Sequence, residues 1–141
     1  MKNLKKADYR FFNKKPWFWP LWRCFFPAAD WNFAIFTLGN RIYSKDPITH
    51  LPSAIHEYTH CEQHKHSVLR GILWYYKYIR YPKFRVEQEL VAYRNQYNSF
   101  KSLCPDRERV SKYAVRLAKD LSSEFYNNCI RFSEALDKIR E

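Results

Sequence analysis

The residues of this chain best suited to do chemistry are His56-Glu57-Tyr58-Thr59-His60. On a helix, side chains four residues apart face the same way, so His56 and His60 can each direct a ring nitrogen at one ion. Glu57 is too near along the helix to complete that coordination comfortably. It is better placed to accept a proton from a metal-activated water, the general-base role. The chemistry this spacing suits is zinc-assisted hydrolysis. On a solvated amphipathic face the same residues would be three ordinary polar side chains, so the reading turns on a further ligand elsewhere in the chain.

Catalytic zinc takes three protein ligands and a water. His64 lies eight residues from His56, about 12 Å of helical rise, too far to converge on the same ion, and is expected to face solvent. His66 holds the last position of HExxHxxGxxH. Gln63 stands where that pattern needs glycine, and the only methionine is Met1, so the metzincin pattern is excluded. The better candidate is Glu89. Val86, Leu90, Tyr93, Tyr97 and Phe100 recur at helical spacing and define an inward stripe. At about 100° per residue Glu89 lies about 60° from its centre and Glu87 about 100°. A carboxylate at the first position needs a metal or a partner, whereas Glu87 can stay in water. The alternative for Glu89 is a rim residue paired with one of the many cations.

His56-Glu57-x-x-His60 followed by Glu89-x-x-Ala92-Tyr93 resembles the gluzincin arrangement, and especially the short HExxH metallopeptidase-like proteins of bacterial and phage genomes. The resemblance runs from about Phe33 to Tyr97. It implies zinc as the cofactor, His56, His60 and Glu89 as its ligands, and a peptide or protein substrate. In that clan an Asp four residues after the ligand Glu supports a zinc-binding His. Tyr93 stands there in this chain, and a phenol can donate to a ligand or to backbone but supplies no negative charge. The SprT-like zincins are less similar, because they take a third His well downstream and no His follows His66.

These residues must be positioned by a chain of 141 residues, one-domain length (1–141) with enough sequence for a single core. A hydrophobic content of 46% argues against disorder, and two glycines argue against a loop-rich all-β fold. The net charge of +11 implies attraction to something acidic, either nucleic acid or an anionic surface. Cys24, Cys61, Cys104 and Cys129 form no CxxC pair and read as reduced, mostly buried thiols of a cytoplasmic protein. Cys61 points about 100° away from His60 and is expected to pack in the core.

The segment 1–30 is basic and aromatic. Lys2, Lys5, Lys6, Arg10, Lys14 and Lys15 precede Trp17, Phe18, Trp19, Trp22, Phe25 and Phe26. Pro16, Pro20 and Arg23 interrupt it, so it reads neither as a signal peptide nor as a membrane span. Its aromatics either cap the core beside the His56 helix or contact a membrane surface or nucleic acid.

From 31 to 44 two β-rich runs meet at Gly39-Asn40, a hairpin signal. By resemblance, a strand ahead of the HExxH helix borders the cleft and can pair with an extended substrate. Pro52 suits the first turn of the next helix, with Thr49 or His50 to cap it. A helix from Val68 to Tyr81 carries the stripe Val68, Ile72, Tyr75 or Tyr76, and Ile79. The Glu89 helix runs to about Leu103. Asp106 caps a helix through Val110, Ala114, Leu117 and Leu121, and Ser122 or Ser123 starts a last one with Phe125, Cys129, Phe132 and Leu136 inward. The fold class predicted is α+β, mostly α, with a short hairpin or sheet on a helical bundle. Two functions fit these observations: a zinc metallopeptidase, or a basic nucleic-acid-binding or membrane-surface module whose zinc site is structural or vestigial.

Overall fold

The computed structural model describes residues 9–141. The lysines at 2, 5 and 6 lie outside the described residues. The elements follow in the order β1 (Arg10–Phe12), α1 (Trp19–Phe25), β2 (Phe36–Leu38), β3 (Arg41–Tyr43), α2 (Leu51–Gln63), α3 (Val68–Arg80), α4 (Pro82–Leu103), α5 (Arg107–Leu121), a 3₁₀ turn (Glu124–Tyr126) and α6 (Phe132–Arg140). The predicted balance, mostly helical with a small sheet, holds. No described helix is long and apolar enough to cross a membrane.

The hairpin forms at Gly39-Asn40, where β2 pairs antiparallel with β3 and Leu38 sits opposite Arg41. Gly39 has φ +64° and Asn40 does not share the positive sign, the pattern of a two-residue II′ turn with glycine first. β1 adds to the far side of β3 in parallel, a pairing that nothing in the sequence pattern announced. Both glycines of the chain serve one contact. A Cβ on Gly39 would lie 2.8 Å from the Val68 nitrogen, and one on Gly71 would lie 2.8 Å from a Leu38 methyl. The hairpin tip and the first turn of α3 therefore interlock.

α2 packs most extensively on α4, and these two helices form the frame of the site. Pro52 sits in the first turn of α2 as expected, and His50 is its N-cap but makes no side-chain capping bond. Asp106 caps α5 by accepting from the Glu108 and Arg109 amides, and Val110, Ala114, Leu117 and Leu121 are all buried. α4 buries Leu90, Tyr93 and Tyr97.

Arg85 is buried as well, one turn before Glu89. It has no carboxylate partner among the described residues. Its guanidinium instead donates to the Tyr78, Ile79 and Tyr126 carbonyls and lies over the Phe26 ring at 4.7 Å. A cation thus satisfies the open carbonyls at the C-terminal end of α3 and ties α1, α3 and the 3₁₀ turn together.

Three expectations are corrected, and a fourth, on the aromatic segment, holds in part. The inward stripe of α3 is Gly71, Trp74 and Tyr78, with Val68, Tyr75 and Ile79 at its edge, while Ile72 is exposed. The segment after Ser122 is not one helix, because Asn127 and Asn128 both adopt left-handed φ and break it. α6 then buries Ala135 and Ile139, and Phe132 is exposed. Of the four free thiols only Cys61 is buried, and Cys24 is exposed, since it sits on the outer face of α1. The aromatic segment divides: Trp19, Trp22 and Phe26 enter the core against Phe36 and Tyr78, whereas Trp17 and Phe25 stay at the surface.

Candidate metal centre

α2 presents His56, Glu57 and His60 toward α4, and α4 presents Glu89 back toward them, all four buried. The His56 and His60 Nε2 atoms are 3.1 Å apart. Glu89 Oε2 lies 3.4 Å from His56 Nε2, and Oε1 lies 3.7 Å from His60 Nε2. One ligand atom from each of these residues can be chosen so that all lie within 4.8 Å of one another. Bonds of about 2.0–2.1 Å to a tetrahedral ion separate its ligands by about 3.3 Å, close to these distances.

The hydrogen bonds around this group fix its chemistry. The Gln63 amide nitrogen donates to the Gln88 carbonyl at 3.0 Å, so its oxygen is the atom facing His60 Nδ1 at 2.8 Å. An amide oxygen only accepts, so Nδ1 of His60 carries the proton and Nε2 of the neutral ring is a lone pair. His56 has the same arrangement through the Gln96 oxygen at 2.9 Å, while the Gln96 nitrogen donates to the Tyr113 hydroxyl. Two imidazole lone pairs and a carboxylate thus converge without a donor between them. Tyr78 donates to Glu89 Oε1 at 2.6 Å, and Glu89 Oε2 has no hydrogen-bond partner among the described residues. Such an acceptor cluster in the protein interior calls for a cation, and its composition of two imidazoles and one carboxylate suits zinc.

The electrostatics point the same way. Burial disfavours a charged His60, but the Glu89 carboxylate beside it, with Glu57 and Gln63 adding, outweighs burial and raises its pKa to about 9. Burial also pushes Glu89 up, and His60 and His56 more than offset this and hold it well below the usual carboxylate range. The Glu89 carboxylate thus favours positive charge at the imidazoles beside it.

Glu57 is held separately. Thr37 of β2 donates to Glu57 Oε2 at 2.8 Å, leaving Oε1 without a hydrogen bond among the described residues. The Thr37 carbonyl in turn accepts from Tyr75 at 2.8 Å. The middle carbonyl of β2 is therefore occupied, and the hairpin holds Glu57 through the Thr37 side chain. Glu57 and the three candidate ligands line one cavity of about 480 Å³. Trp22, Phe33, Phe36 and Phe125 give it apolar wall, and Ser53, Arg116 and Asp120 give it polar wall.

The structure thus brings together His56, Glu57, His60 and Glu89, and leaves Glu87 exposed. Tyr93 touches the group differently from what the resemblance implied: its ring packs edge-on against His56 at 4.6 Å, and its hydroxyl pairs with Tyr126 at 3.1 Å. His64 does not face solvent. α2 ends at Gln63, and left-handed turns at Lys65 and His66 fold α3 back over the His64 ring, which accepts from the Gly39 amide at 3.2 Å and packs on Trp74. Burial, with His60 adding, pushes its pKa down to about 3. His66 pairs with Glu62 at the surface.

Sequence reasoning missed Gln63, Gln96, Tyr78 and Thr37. Gln63 and Gln96 did leave a signal, the first one turn after His60 and the second two turns after Glu89 on the same face. Comparison of the chain with protein-family models, with curated proteins and with solved structures finds no match.

Proposed function

We propose that this protein is a zinc-dependent hydrolase, and within that class a metallopeptidase of gluzincin-like arrangement. His56, His60 and Glu89 are the protein ligands of the metal, and Glu57 is the general base. The observation that carries this reading is the buried cluster of three acceptors, with Glu89 Oε2 unpartnered, opening on a cavity that also holds a carboxylate.

When bound, zinc would supply a Lewis acid for a carbonyl oxygen and a water of lowered pKa. The rest of the chemistry belongs to the chain. Glu57, fixed through Oε2 by Thr37, keeps Oε1 to accept a proton and to return it to a leaving amine. Gln63 and Gln96 hold the two imidazoles in the tautomer that leaves Nε2 free to bind a metal. Tyr78 neutralises part of the Glu89 charge and keeps one oxygen in place. The mixed apolar and polar lining suits a substrate with both side chains and amides, which favours peptide.

The test pairs metal content with cleavage. Protein purified without chelator should carry one zinc per chain. Glu57→Gln should keep that zinc and the fold while cleaving a panel of unfolded proteins about 10²- to 10⁴-fold more slowly. A chain that neither carries nor takes up zinc refutes the metal centre. A Gln variant that cleaves at the parent rate removes Glu57 from the mechanism. One that loses zinc makes Glu57 part of the metal site and favours a basic binding module with a structural ion.

A further inference from the structure

Helix α3 is apolar on two opposite faces. Gly71, Trp74 and Tyr78 point inward. Leu69, Ile72, Leu73 and Tyr76, at i, i+3, i+4 and i+7, lie on the other side at about 100° per residue and are 68%, 47%, 57% and 63% exposed. Among the described residues no other helix exposes as many large apolar side chains. The helix contains no acidic residue, and its cations Arg70, Lys77 and Arg80 take part in none of the ion pairs of the described residues. Arg80 continues the stripe at its C-terminal end, next to the exposed Tyr81 ring at 5.7 Å.

We propose that the outer face of α3 docks the protein on an anionic lipid surface. A contiguous apolar patch needs a partner, and the flanking charge selects which one. Nucleic acid would use the three cations but would set Leu69, Ile72 and Leu73 against phosphates. A second copy would bring another +11 net charge and the same cationic helix against this one. Residues 1–8, with lysines at 2, 5 and 6, offer no charge complement. A lipid interface satisfies both features: the leucine and isoleucine side chains enter the acyl boundary, and the Arg and Lys side chains reach back to headgroup phosphates. Tyr76 and Tyr81 suit headgroup depth. The inner face of the same helix, through Trp74, Tyr75 and Tyr78, lines the candidate metal cavity, so the docked surface and the site share one helix. The proposal stands whether or not the cavity binds zinc.

The experiment is co-sedimentation of the full chain with phosphatidylcholine vesicles, with and without phosphatidylglycerol. Binding should require phosphatidylglycerol and weaken with salt. Leu69→Ser/Leu73→Ser should bind at least about tenfold more weakly, from the apolar area withdrawn, while keeping its melting temperature and zinc content. Lys77→Gln/Arg80→Gln should weaken the dependence on phosphatidylglycerol. Absence of binding to the anionic vesicles overturns the proposal, as does equal binding by the serine variant. A concentration-dependent dimer abolished by the serine variant also overturns it, by assigning the stripe to a second copy.

Discussion

Two regions of this molecule depart from the ordinary distribution of side chains, in opposite directions. Between α2 and α4, charged and polar groups are inside; on the outer face of α3, aliphatic and aromatic groups are outside. The inner departure is compensated in part, since Gln63, Gln96, Tyr78 and Thr37 each satisfy one member of the cluster, and Glu89 Oε2 is a fully buried atom left without a hydrogen bond among the described residues. The outer one has no compensation among the described residues. A buried polar group must be satisfied or cost several kcal/mol, whereas an exposed leucine costs the folded chain almost nothing. Folding therefore constrains the first region far more tightly, and what each lacks differs accordingly: one positive charge at a point, against an apolar surface over a helix face.

The largest expected effect separates two carboxylates on one helix. Glu89→Ala should release zinc, because it removes one of the three proposed ligands and leaves two imidazoles facing each other. Glu87→Ala, altering an exposed side chain two residues away, should retain one zinc per chain. Elemental analysis of both variants decides the matter. Equal retention would show that the inward cluster is not the metal site and that the inner departure has some other cause.

A smaller effect is expected one layer out. Gln63→Leu removes the acceptor that fixes the His60 tautomer and also abandons the Gln88 carbonyl. Zinc affinity should fall about 10- to 100-fold, with the ion still bound at high concentration. Gln96→Leu should do the same through His56. Competition against a chelator of known affinity measures both. An unchanged affinity would mean that the imidazoles are oriented by packing alone, through Tyr93 and Trp74.

How far each region could be read in advance follows from the range of its interactions. His56, Glu57 and His60 were legible because their relation is local, one turn of one helix. Glu89 was legible because its phase against Leu90, Tyr93 and Tyr97 needs only α4. The supports of these groups were hidden, because they pair residues far apart in the chain: Gln96 with His56, Gln63 with Gln88, Thr37 with Glu57. β1 was hidden for the same reason, as a parallel partner of β3 across residues 13–40. α3 misled differently. With Leu69, Ile72, Leu73 and Tyr76 on one side and Trp74, Tyr75, Tyr78 and Ile79 on the other, its periodicity supports two phases, and only the hairpin packed on Gly71 selects one. Asn127 and Asn128 carried the break after α5, yet asparagine tolerates left-handed backbone without requiring it.

The smallest expected effect is the sharpest test of the contrast between the two regions. If the outer stripe of α3 contributes to partner binding and not to the fold, then Leu73→Ser should change the free energy of unfolding by no more than about 0.5 kcal/mol. Leu117→Ala, a truncation at a side chain only 2% exposed in α5, should cost about 2–5 kcal/mol through lost burial and the cavity left behind. Urea denaturation measures both, provided the slope of each transition is unchanged, so that a shifted midpoint reports stability alone. A cost for Leu73→Ser approaching that of Leu117→Ala would mean that the stripe is covered within the free protein. In that case both departures would be internally compensated, and the difference between them would vanish.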